Sequence, residues 1–410
     1  MSGKVSWKLN LAMLWFSQLL IMAGFQALIP FIPLYIKGEL GIIDENELAV
    51  AVSSFNFFGT MAYAVFNPIW GVLADKFGVK PMLLRGTFLT GLIFPLMAYS
   101  PTVTILVVLR FISAACAGTT AASQTMIARN TPDEHQGFAL GVLTTAIWGG
   151  AMLGNVVGGL LIHYFNYTVA FWVCGIMYLL GGISILFTRD GAIRQSTAKT
   201  VQKKRRWWLP EFTHAVWYLL ILFLLLGFIR NFEVAYIALK VEELTDPQSA
   251  AFWTGITSAA VCAAAILSGV ISGYLVDRLP AVKILIPVML ISSLALIWQG
   301  FARNLWIFGI GRVLLYTAAG GLQPVIQKVL SSVTPQRKRG GVFGFASSSS
   351  SIGGMAAAVA SGFAMSACGV SGVFFIGGII FAAVLPVFIH GIMRATRPFV
   401  FHRLHRSISR

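Results

Sequence analysis

The chain has 410 residues, 57% of them hydrophobic and 11% charged, with a mean hydropathy of +0.80; a soluble domain carries about 25% charged residues, so this composition excludes an ordinary soluble globule and indicates a polytopic membrane protein. Thirty Lys and Arg against 14 Asp and Glu give a net charge of +16, a balance that invites a nucleic-acid reading until the charges are placed. The four cysteines, Cys116, Cys174, Cys262 and Cys368, all fall inside apolar runs, which points to small hydrophobes and away from a disulfide framework or a metal site.

The N-terminal MSGKVSWKLN is short and basic, like the start of a signal peptide. The apolar run behind it reaches from Leu11 to about Ile36. That exceeds an h-region of about 7–15 residues, and no small-residue cleavage pattern follows, so it reads as a retained first span. Further runs near or above the ~20 residues that cross a bilayer predict twelve helices in all: 11–36, 47–73, 82–99, 102–128, 137–163, 167–187, 213–239, 249–274, 282–301, 304–330, 340–367 and 371–392. Connections are short except at about 190–210, GAIRQSTAKTVQKKRRWWLP, which is polar, basic and without apolar periodicity. The expected organisation is an N-terminal six-helix bundle (1–188), a basic linker (189–211), a C-terminal six-helix bundle (212–394) and a basic tail (395–410).

If the N-terminus is cytoplasmic, 24 of the 30 Lys and Arg lie on inner segments, seven of them in the central loop and five from Arg394 onward. The outer loops hold Lys37, Lys240 and Arg303, and Arg110, Arg230 and Arg312 lie inside spans. The positive-inside rule then places both termini in the cytoplasm, with the chain in the cell's inner (cytoplasmic) membrane. The basic charge becomes a topology signal in contact with anionic lipid, and a nucleic-acid partner is not expected.

An internal repeat runs through the chain. Gly71, Leu73 and Asp75 match Gly273, Leu275 and Asp277 at an offset of 202, and Arg110 matches Arg312 at the same offset. Thr131-Pro132 matches Thr334-Pro335, and Gly141 matches Gly344, at 203. Parallel repeats of six spans imply a pseudo-two-fold axis along the membrane normal, with a midplane site that opens to either side as the halves rock.

GVLADKFGVK (Gly71 to Lys80) resembles the loop 2–3 signature of the major facilitator superfamily, roughly G-x-L-A-D-R-x-G-R-K. Gly71, Leu73, Ala74, Asp75, Gly78 and Lys80 fit; Lys76 keeps the charge and Val79 replaces a usual Arg. In span five, Gly141, Gly150, Gly154, Gly158 and Gly159 stand at the spacing of the antiporter signature G-x8-G-x3-G-P-x2-G-G, with Asn155 at the proline position. LRFISAACAG resembles the span-four signature around a membrane arginine, here Arg110, and Pro30 and Pro33 form a P-x-x-P end to span one. The chain is most similar to the twelve-span drug:proton antiporter group, the MdtG-like multidrug efflux transporters. That resemblance implies an all-α membrane fold of two pseudo-symmetric six-helix bundles. It implies a monomeric secondary active transporter, proton-coupled, exporting small amphipathic organic molecules. It also implies that the Gly71–Lys80 loop latches the cytoplasmic side, with Arg129 and Asp133 as partners and Gly273, Asp277 and Arg278 as the repeat copy.

The residues carry a physical reading of their own. Asp75 stands where a new helix must begin and is expected to cap it. Gly150, Gly154 and Gly158 share one helical face suited to close packing. A charge at the bilayer centre costs ~2.5–3.5 kcal/mol on insertion scales and usually faces a cavity. Arg110, nine residues past Pro101, lies about 13 Å deep at 1.5 Å per residue. Arg230 and Glu233, three apart, are expected to pair on one face. Glu233 is the only carboxylate interior to a span and hence the leading proton carrier; burial disfavours its ionised form while Arg230 favours it. A structural role and a substrate contact stay open for it, and no acid stands in span one or four, where many relatives place one. Three arginines against one glutamate bias the cavity towards anionic or neutral substrates. Gln18, Gln26, Asn56, Asn155, Gln323 and Gln327 are expected to line it, with Trp15, Phe25, Phe58, Trp148, Met152 and Trp253 as an apolar wall. No G-x-x-x-x-G-K-[ST] occurs, so ATP is not the direct driver, and neither a cofactor nor enzyme chemistry is expected. The rival readings are a carrier of organic anions, such as a carboxylate metabolite or siderophore, and a non-transporting receptor or channel.

Overall fold

Backbone amides in hydrocarbon have no water to bond and must pair internally; the described residues accordingly form helices and no strands. The computed structural model describes residues 7–132, 135–189, 214–334 and 339–408. Nearly all of the expected linker lies outside them, as does Asp133. The first half comprises α1 (Trp7–Gln26), a 3-10 turn (Ile29–Phe31) and α2 (Ile32–Gly38), then α3 (Glu45–Phe77), α4 (Val79–Met97), α5 (Val103–Cys116), α6 (Thr119–Asn130), α7 (Gln136–Tyr164) and α8 (Tyr167–Leu186). The second comprises α9 (His214–Asn231), a 3-10 turn (Val234–Tyr236) and α10 (Ile237–Leu244), then α11 (Pro247–Arg278), α12 (Ala281–Gly300), α13 (Leu305–Ala319), α14 (Leu322–Val333) and α15 (Arg339–Ile408).

Nine segments among the described residues are long and apolar enough to cross a membrane. One of them, Phe345–Ala395, has 51 residues, about 76 Å at 1.5 Å per residue and more than twice a hydrocarbon core of about 30 Å. It is two helices joined at Gly369, whose φ of 66° and ψ of −176° leave the helical region. With α4 and the α13–α14 pair the passes come to twelve, as the hydropathy predicted.

The expected continuity of four spans is corrected. Spans one, four, seven and ten are each broken near mid-length. In span one, Pro30 lacks the N–H that would carry the helix on and opens the 3-10 turn. In span four, Gly118 takes φ 109° between α5 and α6, a region that favours glycine. Gly320 and Gly321 separate α13 from α14. Span seven has neither residue at its break; there the Asn231 side chain donates to the Gly227 carbonyl at 2.7 Å, competing with the backbone ladder. The breaks repeat as the sequence does: the 3-10 turns start 205 positions apart (29 and 234), α5 and α13 start 202 apart, α6 and α14 203 apart. Helix starts repeat too, Thr102 and Asn304 each accepting from the third amide of its helix, as N-caps do.

Within the halves α1 packs on α7 and α8, α4 on α8 and α3 on α5, while α9 and α12 pack on α15 and α11 on α13; across them α7 meets α11 and α3 meets α15. Lys240, expected in an outer loop, sits in α10 at 4% exposure. Its charge is held by Glu243 at 2.9 Å and the Ser371 hydroxyl at 2.6 Å. The cysteines are all free; Cys174 and Cys262 are buried, Cys116 half-buried and Cys368 exposed.

Candidate functional site

The broken spans of the second half bring its charges together. Where α9 stops, the backbone turns into the 3-10 segment with Glu233 at its head. This places the carboxylate among helix ends whose polar groups need partners. The expected Arg230–Glu233 pairing is not formed. Glu233 accepts from Arg312 Nη1 at 3.1 Å, and both side chains are 3% exposed. Arg312 also lies over the Tyr316 ring, 5.1 Å from its centre. Arg230 donates to Gln323 Oε1 at the start of α14. The i, i+3 spacing brings side chains together only on an unbroken helix, and the break past Asn231 removes that condition. Glu233 is 2% exposed. Removing one partner from such a buried pair costs about 3–5 kcal/mol, because the other charge is stranded.

The first half answers differently. At the repeat offset of 205, Leu28 stands for Glu233 and Phe25 for Arg230. Arg110 accordingly lies over Phe25 and Phe55, at 5.2 and 5.4 Å from the ring centres, and its buried Nε has no hydrogen-bond partner. Gly59 makes room for it: a Cβ there would be 3.1 Å from the Arg110 guanidinium carbon and nearer still to Nε.

Between the halves lies a cavity of about 250 Å³. From the first half Gln26, Pro30, Trp148 and Asn155 line it; from the second Arg230, Asn231, Ser258, Cys262, Arg312, Tyr316 and Ser350. Asn155 Nδ2 donates to Cys262 Sγ at 3.5 Å across the two halves. Of the polar residues expected here, Gln26 and Asn155 line the cavity and Gln323 reaches it through Arg230. Gln18 is fully buried, donating to Ser123 at 3.0 Å and accepting from Thr120 at 3.2 Å; it ties α1 to α6. Asn56 donates to Val52 of its own helix, and Gln327 is half-buried in α14 away from the cavity. Of the expected apolar wall only Trp148 is in place. Tyr316 was legible one turn beyond Arg312, and Ser350 within the run of five serines from Ser347 to Ser351; Cys262 carried no signal. Two of the larger hollows, about 910 Å³ between α3 and α5 and 480 Å³ between α11 and α13, are repeat-related. They are lined by exposed apolar side chains such as Val50, Phe58, Ile256 and Ile310, which suits a lipid boundary.

The motif glycines divide by role. A Cβ on Gly150, Gly154 or Gly158 would strike the carbonyls of Leu19, Ala23 and Ala27, so that face packs α7 on α1. Gly159 points the other way, to Ala251 and Gly255 of α11 in the second half, and Gly141 has nothing within 4 Å. In the polar knot, the expected capping by Asp75 falls on a side chain outside what the structure describes. Asp75 lies in the last turn of α3, and Gly78 (φ 96°) stands between α3 and α4. Lys80 Nζ donates to the carbonyls of Leu186 and Thr188 at 2.7 and 2.6 Å, finishing α8. Gly71, Asp75 and Lys76 fall in α3, Arg129 in the last turn of α6, and Gly273, Asp277 and Arg278 in the last turns of α11. The side chains of Asp75, Lys76, Arg129 and Asp277 lie outside what the structure describes.

The opposite end, at α2 and α10, ties the halves together. Lys37 pairs with Glu242 at 2.6 Å. The Ser53 and Tyr236 hydroxyls share a hydrogen bond of 3.1 Å, and His163 Nδ1–H donates to the Gln248 carbonyl at 2.7 Å.

Comparison with known proteins agrees with this architecture. The family profile described as Major Facilitator Superfamily matches residues 14–302 and 244–400. The chain is 27% identical over 352 residues to the multi-drug resistance efflux pump PmrA of Streptococcus pneumoniae, across 83% of this chain and 86% of that one. It is 30% identical over 354 residues to the multidrug resistance protein MdtG of Salmonella typhimurium, across 85% and 87%. The solved D-xylose–proton symporter superposes with a TM-score of 0.77 at 13% identity, over 94% of this chain and 97% of that one, a likeness of fold alone.

Proposed function

The chain belongs to the major facilitator superfamily, a membrane transporter and not an enzyme, and from that premise we propose that it exports small amphipathic organic molecules by alternating access, driven by protons. One observation carries the proton step: Glu233, the only buried carboxylate among the described residues, is paired with Arg312 at the cavity wall. A proton on Glu233 cancels its charge and releases Arg312 into the cavity; its loss restores the pair. The charge that meets a substrate is thereby tied to proton occupancy. The efflux names of the relatives PmrA and MdtG support the direction.

Other parts of the reading have separate support. The crowding of Lys and Arg at the Asp75 end favours cytoplasmic termini in the cell's inner membrane. With that orientation, Lys37–Glu242 closes the outer side, and the cavity belongs to an inward-facing form. The halves 1–188 and 212–394 rock as two bundles within one monomer. Gly71, Asp75, Lys76, Gly78, Arg129 and Asp133, with Gly273, Asp277 and Arg278, latch the cytoplasmic side in the opposite form. Arg110 keeps a functional role in the first half. A second reading, transport of organic anions, is favoured by the two cavity arginines against one glutamate.

The test is transport in proteoliposomes under an imposed pH step, recording solute and proton movement for cationic, neutral and anionic compounds. Glu233→Gln is expected to abolish gradient-driven accumulation while leaving solute exchange. Accumulation intact in that variant removes Glu233 as the coupling group. A wild-type protein that moves no compound with the gradient removes the transport reading.

A further inference from the structure

The cavity between the halves is chemically lopsided, and two of the residues lining it, one from each half, carry polar groups left incompletely paired. On the second-half wall, Arg312 is spent on Glu233. Arg230 is not: its Nη1 donates to the neutral Gln323, and no carboxylate among the described residues pairs with it. On the first-half wall stands Asn155, 2% exposed. Its amide N–H is used on Cys262 Sγ, while its Oδ1 is buried with no partner. Buried acceptors are satisfied in folded proteins with few exceptions, and each exception asks for an explanation. A hydrogen-bond donor is what this oxygen calls for. A cation without a counterion and an acceptor without a donor share one hollow of about 250 Å³, with Trp148 as its aromatic wall.

We propose that this cavity binds a small organic monoanion that also carries a hydroxyl or N–H donor, a hydroxyaryl carboxylate being the simplest form. Its carboxylate lies against Arg230 and its donor against Asn155 Oδ1. The proposal rests on the transport reading for its biological sense and names the substrate class of that same site. It also makes Asn155 the residue that sets specificity. Arg230 alone accepts any anion, whereas a site built to bond a donor rejects the analogue that lacks it, because its own buried group is then left unpaired. Since the two groups belong to different halves, the ligand bridges α9 and α7.

Binding to the purified full chain in lipid nanodiscs tests this without any gradient. The probes are benzoate, 4-hydroxybenzoate and phenol, read by titration calorimetry. The hydroxy acid is expected to bind about fivefold tighter than benzoate, the worth of one neutral hydrogen bond. Phenol is expected to bind at least roughly tenfold weaker than the hydroxy acid, for want of the charge-assisted contact. Asn155→Ala makes the two acids equal and leaves benzoate as it was. Arg230→Gln weakens both acids and spares phenol. Cys262→Ala, which removes only the other end of the Asn155 contact, keeps the discrimination. Asn155→Leu, close to the native volume, serves if the alanine variant does not fold. Equal binding of the two acids by the wild type overturns the proposal, as does no saturable binding of either, or discrimination that survives loss of the Asn155 amide. A protein that carries cationic dyes but binds neither acid fails this inference alone. One that binds the hydroxy acid but moves nothing fails the transport reading alone.

Discussion

Gly158→Ala measures how closely α7 lies on α1. The added methyl would stand 2.6 Å from both the Cα and the carbonyl carbon of Ala27. Non-bonded carbons rest at about 3.5–4.0 Å, so the two helices must part by roughly 1 Å. Alanine gains about 0.5–1 kcal/mol over glycine inside a helix, whereas forcing an extra carbon into a filled interface costs about 1–3 kcal/mol. The expected net is a loss of about 1 kcal/mol. The same motif supplies the control: Gly141 has nothing within 4 Å, so alanine there keeps the helix gain without the clash. Both variants are compared with the wild type by thermal unfolding in one detergent, alongside initial transport rates. Gly158→Ala is expected to melt below the wild type and turn over more slowly, and Gly141→Ala to melt at or above it. The reverse order of melting temperatures refutes the packing argument.

At the break in span four, Gly118→Ala forces a Cβ into φ 109° and sets it 3.1 Å from Asn67 Oδ1; about 1–2 kcal/mol of strain is expected. Gly269→Ala, in open space inside α11, is its control and is expected to be as stable as the wild type or slightly more so, and a Gly118 variant as stable as the wild type contradicts the break. The Lys37–Glu242 pair is part-exposed, at 38% and 15%, and is worth no more than about 1 kcal/mol. Lys37→Glu is expected to lower the population in which α2 and α10 meet by up to about fivefold, read as spin-label distances between the two helix ends. Adding Glu242→Lys should restore it; unchanged distances in the single variant remove the pair from the closure.

The local content of the chain was legible without coordinates. Hydropathy and the fixed rise of a helix set the number of passes, because each crossing needs its own length of apolar residues. The offset of 202–203 between Arg110 and Arg312 or Gly141 and Gly344 exposed the repeat, since equal folds place equal residues at equal spacing. The close-packing face of Gly150, Gly154 and Gly158 followed from helical periodicity. What lay beyond reach was partner choice. Glu233 sits three residues from Arg230 but bonds Arg312, 79 positions away, because span seven breaks between them and two distant broken helices meet there. Gln18 turned inward to Ser123 and not to the cavity, and Gly159 turned to the other half while Gly158 stayed with its own. Spacing along a chain determines neighbours only while one helix runs on unbroken. Once the backbone leaves the helix, the packing of separate elements decides which buried charge meets which, and that is a property of the assembled structure alone.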